Sequence, residues 1–220
     1  MKEELDKIQQ SISKIKIDDI DPETAKKLEE KSRLDARAKR HPEYAKKCGV
    51  GKRHQSCTFS NYDGKEADEL RAILKTGLTE NVLIQSENTG NGKTHLAVSV
   101  LKAYACTDIN EHKFVNFSNL MMEIRHTFNS DKKNENDVIA EYCKYKLLVI
   151  DDVGAEKASD YSTQVLYIIL NNRYEAIKPT IITTNNSGEE IEHIYDKRII
   201  SRMRSGHLIK LDSKDRRGVK

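Results

Sequence analysis

A glycine-rich segment between a strand-like run and a helical run constrains the fold of this chain more than any other feature. The segment is SENTGNGKT, residues 86–94. Gly90 and Gly92 allow backbone N–H groups to turn toward an anion, and the helix that follows adds the positive end of its dipole. Lys93 supplies a cation for β- and γ-phosphates, and Thr94 offers a hydroxyl to Mg²⁺. The segment therefore predicts a phosphate-binding loop.

One position departs from the common phosphate-loop pattern, which has glycine where this chain has Glu87. A carboxylate pointing into the loop would repel the phosphates, so we expect Glu87 to face outward. Two consequences stay open, a reduced affinity for ATP or a loop that changes shape when ATP binds.

A pair of acids follows the most apolar run of the chain, Leu147–Ile150. Such an unbroken run is typical of a central parallel strand that is buried on both faces. A carboxylate at the carboxyl end of this strand, beside a phosphate loop, holds Mg²⁺ or its waters, and Asp151 is predicted to do so. Asp152 is then placed to orient or activate the attacking water, although a longer Glu usually has this role. The two motifs together predict ATP and Mg²⁺ as ligands.

Helices and short apolar runs alternate from about residue 66 onward, which predicts an α/β fold in three layers with a central parallel sheet. The expected strands are 82–85, 114–117, 147–150, 180–183 and 207–211. The expected helices are 66–75, 94–105, 118–128, 162–176 and 197–204, with a shorter helix before 147. A polar loop is expected over 129–136.

Positive charge is concentrated between Arg37 and Arg53, where seven Lys and Arg side chains are opposed only by Glu43. A local excess of this kind is suited to phosphate groups. The formal net charge of the whole chain, +3, is too small to indicate a nucleic-acid partner by itself.

The cysteines form no CxxC pair. They are Cys48, Cys57, Cys106 and Cys143. Cys48, His54 and Cys57 are candidate zinc ligands, with His41 as a fourth, but their spacing fits no common zinc module, so reduced thiols are expected. No apolar run approaches the ~20 residues of a membrane span, and the polar N-terminus is unlike a signal peptide. We therefore expect a cytoplasmic protein.

Several segments closely resemble the DnaC, DnaI and IstB group of AAA+ ATPases. The matching segments are GNGKTHLA (90–97), VIDDVG (149–154), TTN (183–185) and ISRMR (200–204). The runs CGVGKR (48–53) and CTFSNY (57–62) resemble the lead-in to the ATPase domain in this group, except that Gly51 stands where proline is usual. The resemblance covers residues 48–217 and implies an AAA+ P-loop fold.

The resemblance also implies roles for residues around the nucleotide. It implies that Asn91 and His95 bind the nucleotide together with Gly90, Gly92, Lys93 and Thr94. Asn185 corresponds to sensor 1, which contacts the γ-phosphate or the water. The chain leaves no room for a full helical lid after 207–211, so a minimal or absent lid is expected, and Arg217 is a candidate for contacting nucleotide in its place.

Arginines on the helix near the end of the chain have two interpretations. A solvated basic helix face is the usual one. In AAA+ assemblies an arginine at this position reaches the ATP of the neighbouring subunit, and here Arg202 is the first candidate and Arg198 the second. Such a role implies self-association on a partner or on DNA.

The function that the resemblance implies is that of a helicase loader. Such a protein binds a hexameric, DnaB-like replicative helicase and uses ATP to deliver it onto single-stranded DNA. Arg125, Lys132 and Lys133 correspond to the region that touches the DNA, with a solvated helix face as the alternative for Arg125. Contacts of this kind are salt-dependent and largely indifferent to sequence.

Residues 1–47 are predicted to form a helical arm that binds the partner. One narrow apolar stripe runs along it, formed by Leu5, Ile8, Ile12 and Ile15. A stripe this narrow packs on the main domain or docks on another protein, and we favour docking. The predicted organisation is this arm, a lead-in over 48–65, and an AAA+ ATPase domain over 66–220.

Two rival functions stay open. An IstB-like transposition helper would have the same ATPase domain and remodel a transposase instead of a helicase. A nucleotide-switched adaptor with little hydrolysis is the other, and Glu87 and Asp152 are the features that favour it.

Overall fold

The computed structural model describes residues 24, 43–104, 111–128, 133–155 and 158–212. Several residues singled out from the sequence lie outside these ranges. They are Leu5, Ile8, Ile12, Ile15, His41, Cys106, Lys132 and Arg217. The predicted stripe of the N-terminal arm therefore stays a prediction.

A five-stranded, all-parallel sheet forms the centre of the described domain. Its strands are β1 (Asn81–Gln85), β2 (His112–Asn116), β3 (Leu147–Asp151), β4 (Thr180–Thr184) and β5 (Gly206–Lys210). The spatial order is β2-β3-β4-β1-β5. Strands β1, β3 and β4 are buried along their whole length, because they lie inside the sheet and helices cover both faces. The carboxyl ends of these three strands therefore meet at one edge.

Helices connect the strands and cover both faces of the sheet. They are α1 (Tyr44–Lys47), α2 (Glu66–Thr76), α3 (Lys93–Tyr104), α4 (Phe117–Thr127), α5 (Glu135–Lys144), α6 (Asp160–Glu175), α7 (Gly188–Ile194) and α8 (Lys197–Met203). Short 3₁₀ turns lie at Lys52–His54 and Phe59–Asn61. Two apolar clusters result, one on each side of the sheet. The predicted three-layer α/β fold is confirmed.

The predicted strands and long helices are confirmed to within about two residues at each end, as expected for boundaries drawn from periodicity. Two local predictions differ from the structure. The polar loop over 129–136 is too long, because Asn134 caps the helix that begins at Glu135. Helix α7 was not expected, since it is short and mostly polar. A capping box between Ser187 and Glu190 marks its start and is visible in the sequence.

The lead-in, residues 48–65, packs on the side of the sheet that α3 covers. Phe59 and Tyr62 of the lead-in are buried in the same apolar cluster as β1 and α3, and so is Tyr44 at the end of the predicted arm. The backbone N–H of Phe114 donates to the carbonyl of Cys48 at 2.8 Å, which attaches the segment to the outer edge of β2. The lead-in thus contributes to the hydrophobic core of the described domain.

Two candidate zinc ligands, Cys48 and Cys57, are buried thiols in this core. Burial raises the pKa of both, that of Cys57 to about 11, so the thiols are protonated at neutral pH. Within the ranges that the structure describes, no three His, Cys, Asp or Glu side chains are grouped to hold a metal ion. The same part of the chain contains no helix with the length and apolarity needed to cross a bilayer.

Candidate functional site

The phosphate loop lies between β1 and α3, at the carboxyl edge of the sheet. Gly90 and Gly92 have φ angles of +77° and +106°, a region that side chains disfavour, so the glycines are required by the turn. Asn91 is fully buried, and its side-chain amide donates to the hydroxyl of Ser86. The loop therefore has a defined shape that depends on its own residues.

Lys93 is 7% exposed and lies within this loop. Its ammonium group donates to the carbonyl of Asn88 at 2.7 Å, the side-chain oxygen of Asn91 at 3.1 Å and the carbonyl of Ser86 at 3.2 Å. These acceptors hold the cation in the concavity of the loop. Glu87 is exposed, as expected, so its carboxylate does not occupy the loop.

An aromatic side chain of the lead-in covers the loop from one side. A Cβ added to Gly92 would lie 2.6 Å from Cε2 of Tyr62, so the ring contacts the loop backbone closely. The same ring packs against His95, with 5.4 Å between the ring centroids. The imidazole Nε2 of His95 lies 2.9 Å from the carbonyl of Thr58. His95, which the resemblance assigned to nucleotide binding, thus connects the start of α3 to the lead-in.

Substituting Gly92→Ala tests this close approach. The variant must accommodate both a positive φ and the Tyr62 ring, and such a strained position costs about 1–3 kcal/mol. We expect a lower free energy of unfolding in urea and weaker binding of a fluorescent ATP analogue. Gly51→Ala is a matched control, because Gly51 has φ −62° and nothing lies within 4 Å of an added Cβ. Equal effects of the two substitutions would contradict the account of Gly92.

The first acid, Asp151, faces the first turn of α3. The hydroxyl of Thr94 lies 3.0 Å and 3.2 Å from the two carboxylate oxygens. Asp151 is 8% exposed, and burial raises the pKa of its carboxyl group, while hydrogen bonds from Thr183 and Thr94 act in the opposite direction. Carboxylate and hydroxyl oxygens are the ligands that Mg²⁺ prefers, and it usually takes only one or two from the protein. The pair formed by Thr94 and Asp151 fits a Mg²⁺ ion that is also bound by phosphates.

The second acid, Asp152, contacts the residue that the resemblance assigns to sensor 1. The side-chain amide of Asn185 donates to Oδ1 of Asp152 at 2.6 Å. Asp152 has a φ of +64°, a left-handed conformation that costs roughly 1–2 kcal/mol for a residue with a Cβ. The ends of β3 and β4 therefore bring a carboxylate and an amide together beside the phosphate loop. A carboxylate in this place can accept a proton from a water molecule, and the amide can orient it.

Arg202, the first candidate arginine, lies away from this edge. Helix α8 ends where β5 begins, and the carbonyl of Arg202 accepts a 2.8 Å hydrogen bond from Asn81 at the first residue of β1. Because β1 runs from Asn81 to the phosphate loop, the Arg202 carbonyl is about one strand length, roughly 16 Å, from that loop. The Arg202 guanidinium stacks 4.0 Å from the ring centroid of Tyr174 and bonds to Asn171. Arg198 is exposed and pairs with Asp196 at 2.9 Å.

The candidate DNA-binding residues lie around α4 and α5. Arg125 is exposed on α4. Lys133 forms a 2.6 Å ion pair with Glu141. Beside Arg125, the structure places Phe128, which is 60% exposed and contacts the ring of Tyr161 at its edge. Phe128 was not predicted as a candidate, because an aromatic residue at the end of a helix is more often part of the core.

The sequence matches the family of IstB-like ATP binding proteins over residues 25–203. It is 26% identical to the replicative helicase loader DnaC of Escherichia coli (strain K12) over an alignment of 172 residues, and the match covers 73% of this chain and 68% of that protein.

The fold is similar to two groups of solved structures. A crystal structure of a DnaC helicase loader has a TM-score of 0.62 at 23% identity, covering 73% of this chain and 99% of that one. The structure of AMPPCP-bound DnaA from Aquifex aeolicus has a TM-score of 0.61 at 19% identity. The match covers 70% of this chain and 50% of the DnaA chain. The parallel sheet, the phosphate loop and the family match together lead to one conclusion, that this chain belongs to the IstB-like ATP binding protein family and has the AAA+ P-loop fold.

Proposed function

We propose that this chain is an ATPase that loads a hexameric replicative helicase onto single-stranded DNA. The observation that carries the proposal is the phosphate loop and the two acids in an AAA+ fold, in a chain with 26% identity to a replicative helicase loader across 73% of its length. A loader of this class needs ATP hydrolysis, a surface for the helicase and a surface for DNA. Each is supported by a different part of the chain.

The residues at the carboxyl edge of the sheet suit ATP hydrolysis. The loop N–H groups and Lys93 bind the phosphates and hold the terminal phosphoryl group in place. Thr94 and Asp151 would hold Mg²⁺, which would neutralise charge on the phosphate oxygens. Asp152 accepts a proton from the attacking water, and Asn185 orients that water or the γ-phosphate. No group of this chain needs to form a covalent bond with the substrate.

Arg202 is proposed to act on the ATP of a neighbouring copy. It lies about one strand length from its own phosphate loop, so a role in hydrolysis requires a second subunit. Its contacts with Asn171 and Tyr174 hold the side chain against α6. Arg198 is exposed on α8, the helix that also carries Arg202, and is the second candidate. Self-association on the helicase or on DNA would bring the two copies together.

Single-stranded DNA is proposed to bind along α4. Arg125 offers a charge to phosphates, and the exposed ring of Phe128 offers a stacking surface to a base. Lys132 and Lys133 add positive charge in the neighbouring sequence, and Lys133 is paired with Glu141. Binding through such contacts weakens steeply with salt.

Complex formation with the host replicative helicase tests the loader function. The protein and the helicase are mixed with and without ATP and analysed by size-exclusion chromatography with light scattering. In the full-length chain, the pair Ile8→Asp and Ile12→Asp is expected to abolish the complex, because it places charges in the apolar stripe of the arm. The pair Gln9→Asp and Ser13→Asp introduces the same charge off the stripe and serves as the control.

A complex lost only with the stripe variant would support the loader function and a docking site on the arm. No complex with the wild-type protein in any condition would reject it. A nucleotide-switched adaptor would form the complex but release no phosphate in a single-turnover assay. Separate measurements of binding and phosphate release therefore distinguish the loader from the adaptor.

The second candidate is a transposition helper, and the family match is the observation that favours it, since the matching family is described as IstB-like. The ATP site would be the same, and only the partner would differ. Binding to a transposase, together with no binding to the helicase, would favour this function.

A further inference from the structure

The hydroxyl group of Thr183 contacts both acids of the proposed ATP site. It donates to Oδ1 of Asp151 at 2.7 Å and accepts the backbone N–H of Asp152 at 2.8 Å. A threonine hydroxyl has one donor and two acceptor positions, so both hydrogen bonds can exist together. Thr183 is 1% exposed. Its hydroxyl is therefore a buried polar group whose contacts are with the acids.

These contacts join the end of β3 to the end of β4. The carbonyl of Thr183 also accepts the N–H of Val153 at 2.9 Å, so one residue of β4 binds three consecutive residues of the β3 end. The middle one, Asp152, is in the left-handed conformation. A strained residue keeps such a conformation only where its surroundings hold it. The hydroxyl of Thr183 supplies a bond to its N–H, and Asn185 binds its carboxylate.

The next residue of the strand provides a contrast. The hydroxyl of Thr184 donates to the carbonyl of Val153 at 2.7 Å. This bond also joins β3 to β4, but it involves neither carboxylate group. Positions 183 and 184 are both buried in β4, where valine packs as well as threonine and has no hydroxyl to remove from water. A buried threonine is therefore favourable only where its hydroxyl is hydrogen-bonded. Of these two neighbouring hydroxyls, that of Thr183 is bonded to an acid and that of Thr184 is bonded to a backbone carbonyl.

We propose that Thr183 is a positioning residue, which orients the Asp151 carboxylate toward Mg²⁺ and holds the turn that directs Asp152 toward the attacking water. This role rests on the proposed ATPase function. The hydroxyl of Thr183 is bonded to the two acids and acts through them. Loss of its hydroxyl removes one of the hydrogen bonds that orient the Asp151 carboxylate, leaving the contact with Thr94, and removes the bond to the N–H of Asp152.

Substituting Thr183→Val in the full chain removes the hydroxyl while it keeps the shape of the side chain. The affinity for a fluorescent ATP analogue is measured by titration in EDTA and at increasing Mg²⁺ concentrations, followed by phosphate release and thermal unfolding. We expect unchanged binding in EDTA and a Mg²⁺ requirement about 10–100-fold higher, as is typical when the partner of a metal ligand is lost. Phosphate release should slow to a similar degree. Thr183→Ser restores the hydroxyl and should restore the Mg²⁺ dependence.

Thr184→Val is the matched control, because it removes one buried hydroxyl from the neighbouring position of the same strand. Its Mg²⁺ dependence should equal that of the wild type. An unchanged Mg²⁺ dependence in Thr183→Val, or an equal shift in Thr184→Val, would overturn the proposal. Thr183→Ala guards against a folding defect of the valine variant. If Thr183→Val and Thr183→Ala both failed to bind the ATP analogue in EDTA, Thr183 would be needed for folding alone. That result would also overturn the proposal.

The proposed function fails in a different way. If the wild-type protein bound no nucleotide, the ATPase function would be rejected before any variant was compared. A wild-type protein that binds nucleotide in a Mg²⁺-dependent way, beside a Thr183→Val variant with the same dependence, would reject the role of Thr183 only.

Discussion

Substituting Asp152→Asn should slow ATP hydrolysis by about 10²–10⁴-fold, the usual contribution of a general base, and leave ATP binding nearly unchanged. The substitution removes the charge and the proton-accepting ability of the side chain. It keeps the oxygen that accepts the 2.6 Å hydrogen bond from Asn185. Asn also tolerates the left-handed conformation of this position better than most residues. Single-turnover phosphate release, compared with the affinity for a fluorescent ATP analogue, measures the two effects separately.

Asp152→Ala is the informative comparison for this prediction. It removes the charge, the hydrogen bond to Asn185 and the tolerance of a positive φ, so we expect a similar loss of hydrolysis with an added loss of stability. If Asp152→Asn hydrolysed ATP at the wild-type rate, Asp152 would not be the base. If Asp152→Asn instead lost ATP binding together with hydrolysis, the role of Asp152 would be to maintain the shape of the site.

Substituting Arg173→Met should destabilise the fold by about 3–5 kcal/mol, because several buried oxygens lose their hydrogen-bond donor at roughly 1–3 kcal/mol each, partly offset by removal of a buried charge. Arg173 is fully buried on α6. Its guanidinium group donates to four oxygens, which are Thr180 Oγ1 and the carbonyls of Tyr142, Tyr145 and Pro179. Burial lowers the pKa of Arg173 to about 10, so the group is still protonated at neutral pH. It connects the end of α5 to the starts of β3 and β4.

The destabilisation follows from the three backbone carbonyls. Methionine fills part of the volume, but it has no hydrogen to donate, so buried oxygens lose their partners. Urea unfolding followed by circular dichroism gives the free energy. Lys178→Met is the control, because Lys178 donates to the carbonyls of Cys143 and Lys144 nearby but is half-exposed. Water can replace those bonds, so we expect a loss of about 1 kcal/mol or less. A similar loss in both variants would contradict the importance of Arg173.

The α/β fold and the core of the ATP site were predictable from the sequence because their signals are local. Strands that are buried on both faces are continuous apolar runs, such as Leu147–Ile150, and the helices between them have their own periodicity. The phosphate loop depends on glycines at positions where only glycine fits the turn, and those positions are adjacent in the chain. The position of Asp151 was predictable because the acid directly follows an unbroken apolar run and therefore lies at the carboxyl end of a buried strand.

Contacts between segments that are distant in sequence were decided only by the tertiary structure. The hydrogen bonds of Thr183 to both acids depend on the pairing of β3 with β4, which no local pattern reports. The packing of Tyr62 on Gly92 depends on how the lead-in folds back onto α3. Arg173 gave no signal, because an arginine on a helix is usually solvated.

The sequence by itself determined where the predicted phosphate loop lies and which acid lies at the end of the central strand. The tertiary structure decided how the candidate side chains are held: that Asp152 is left-handed and bonded to Asn185, and that Arg202 lies a strand length from its own site. The physical reason is range. Backbone conformation and the hydrophobic period are set by neighbours in the chain, whereas the orientation of a buried side chain is set by whichever partner the packed strands bring within hydrogen-bonding distance.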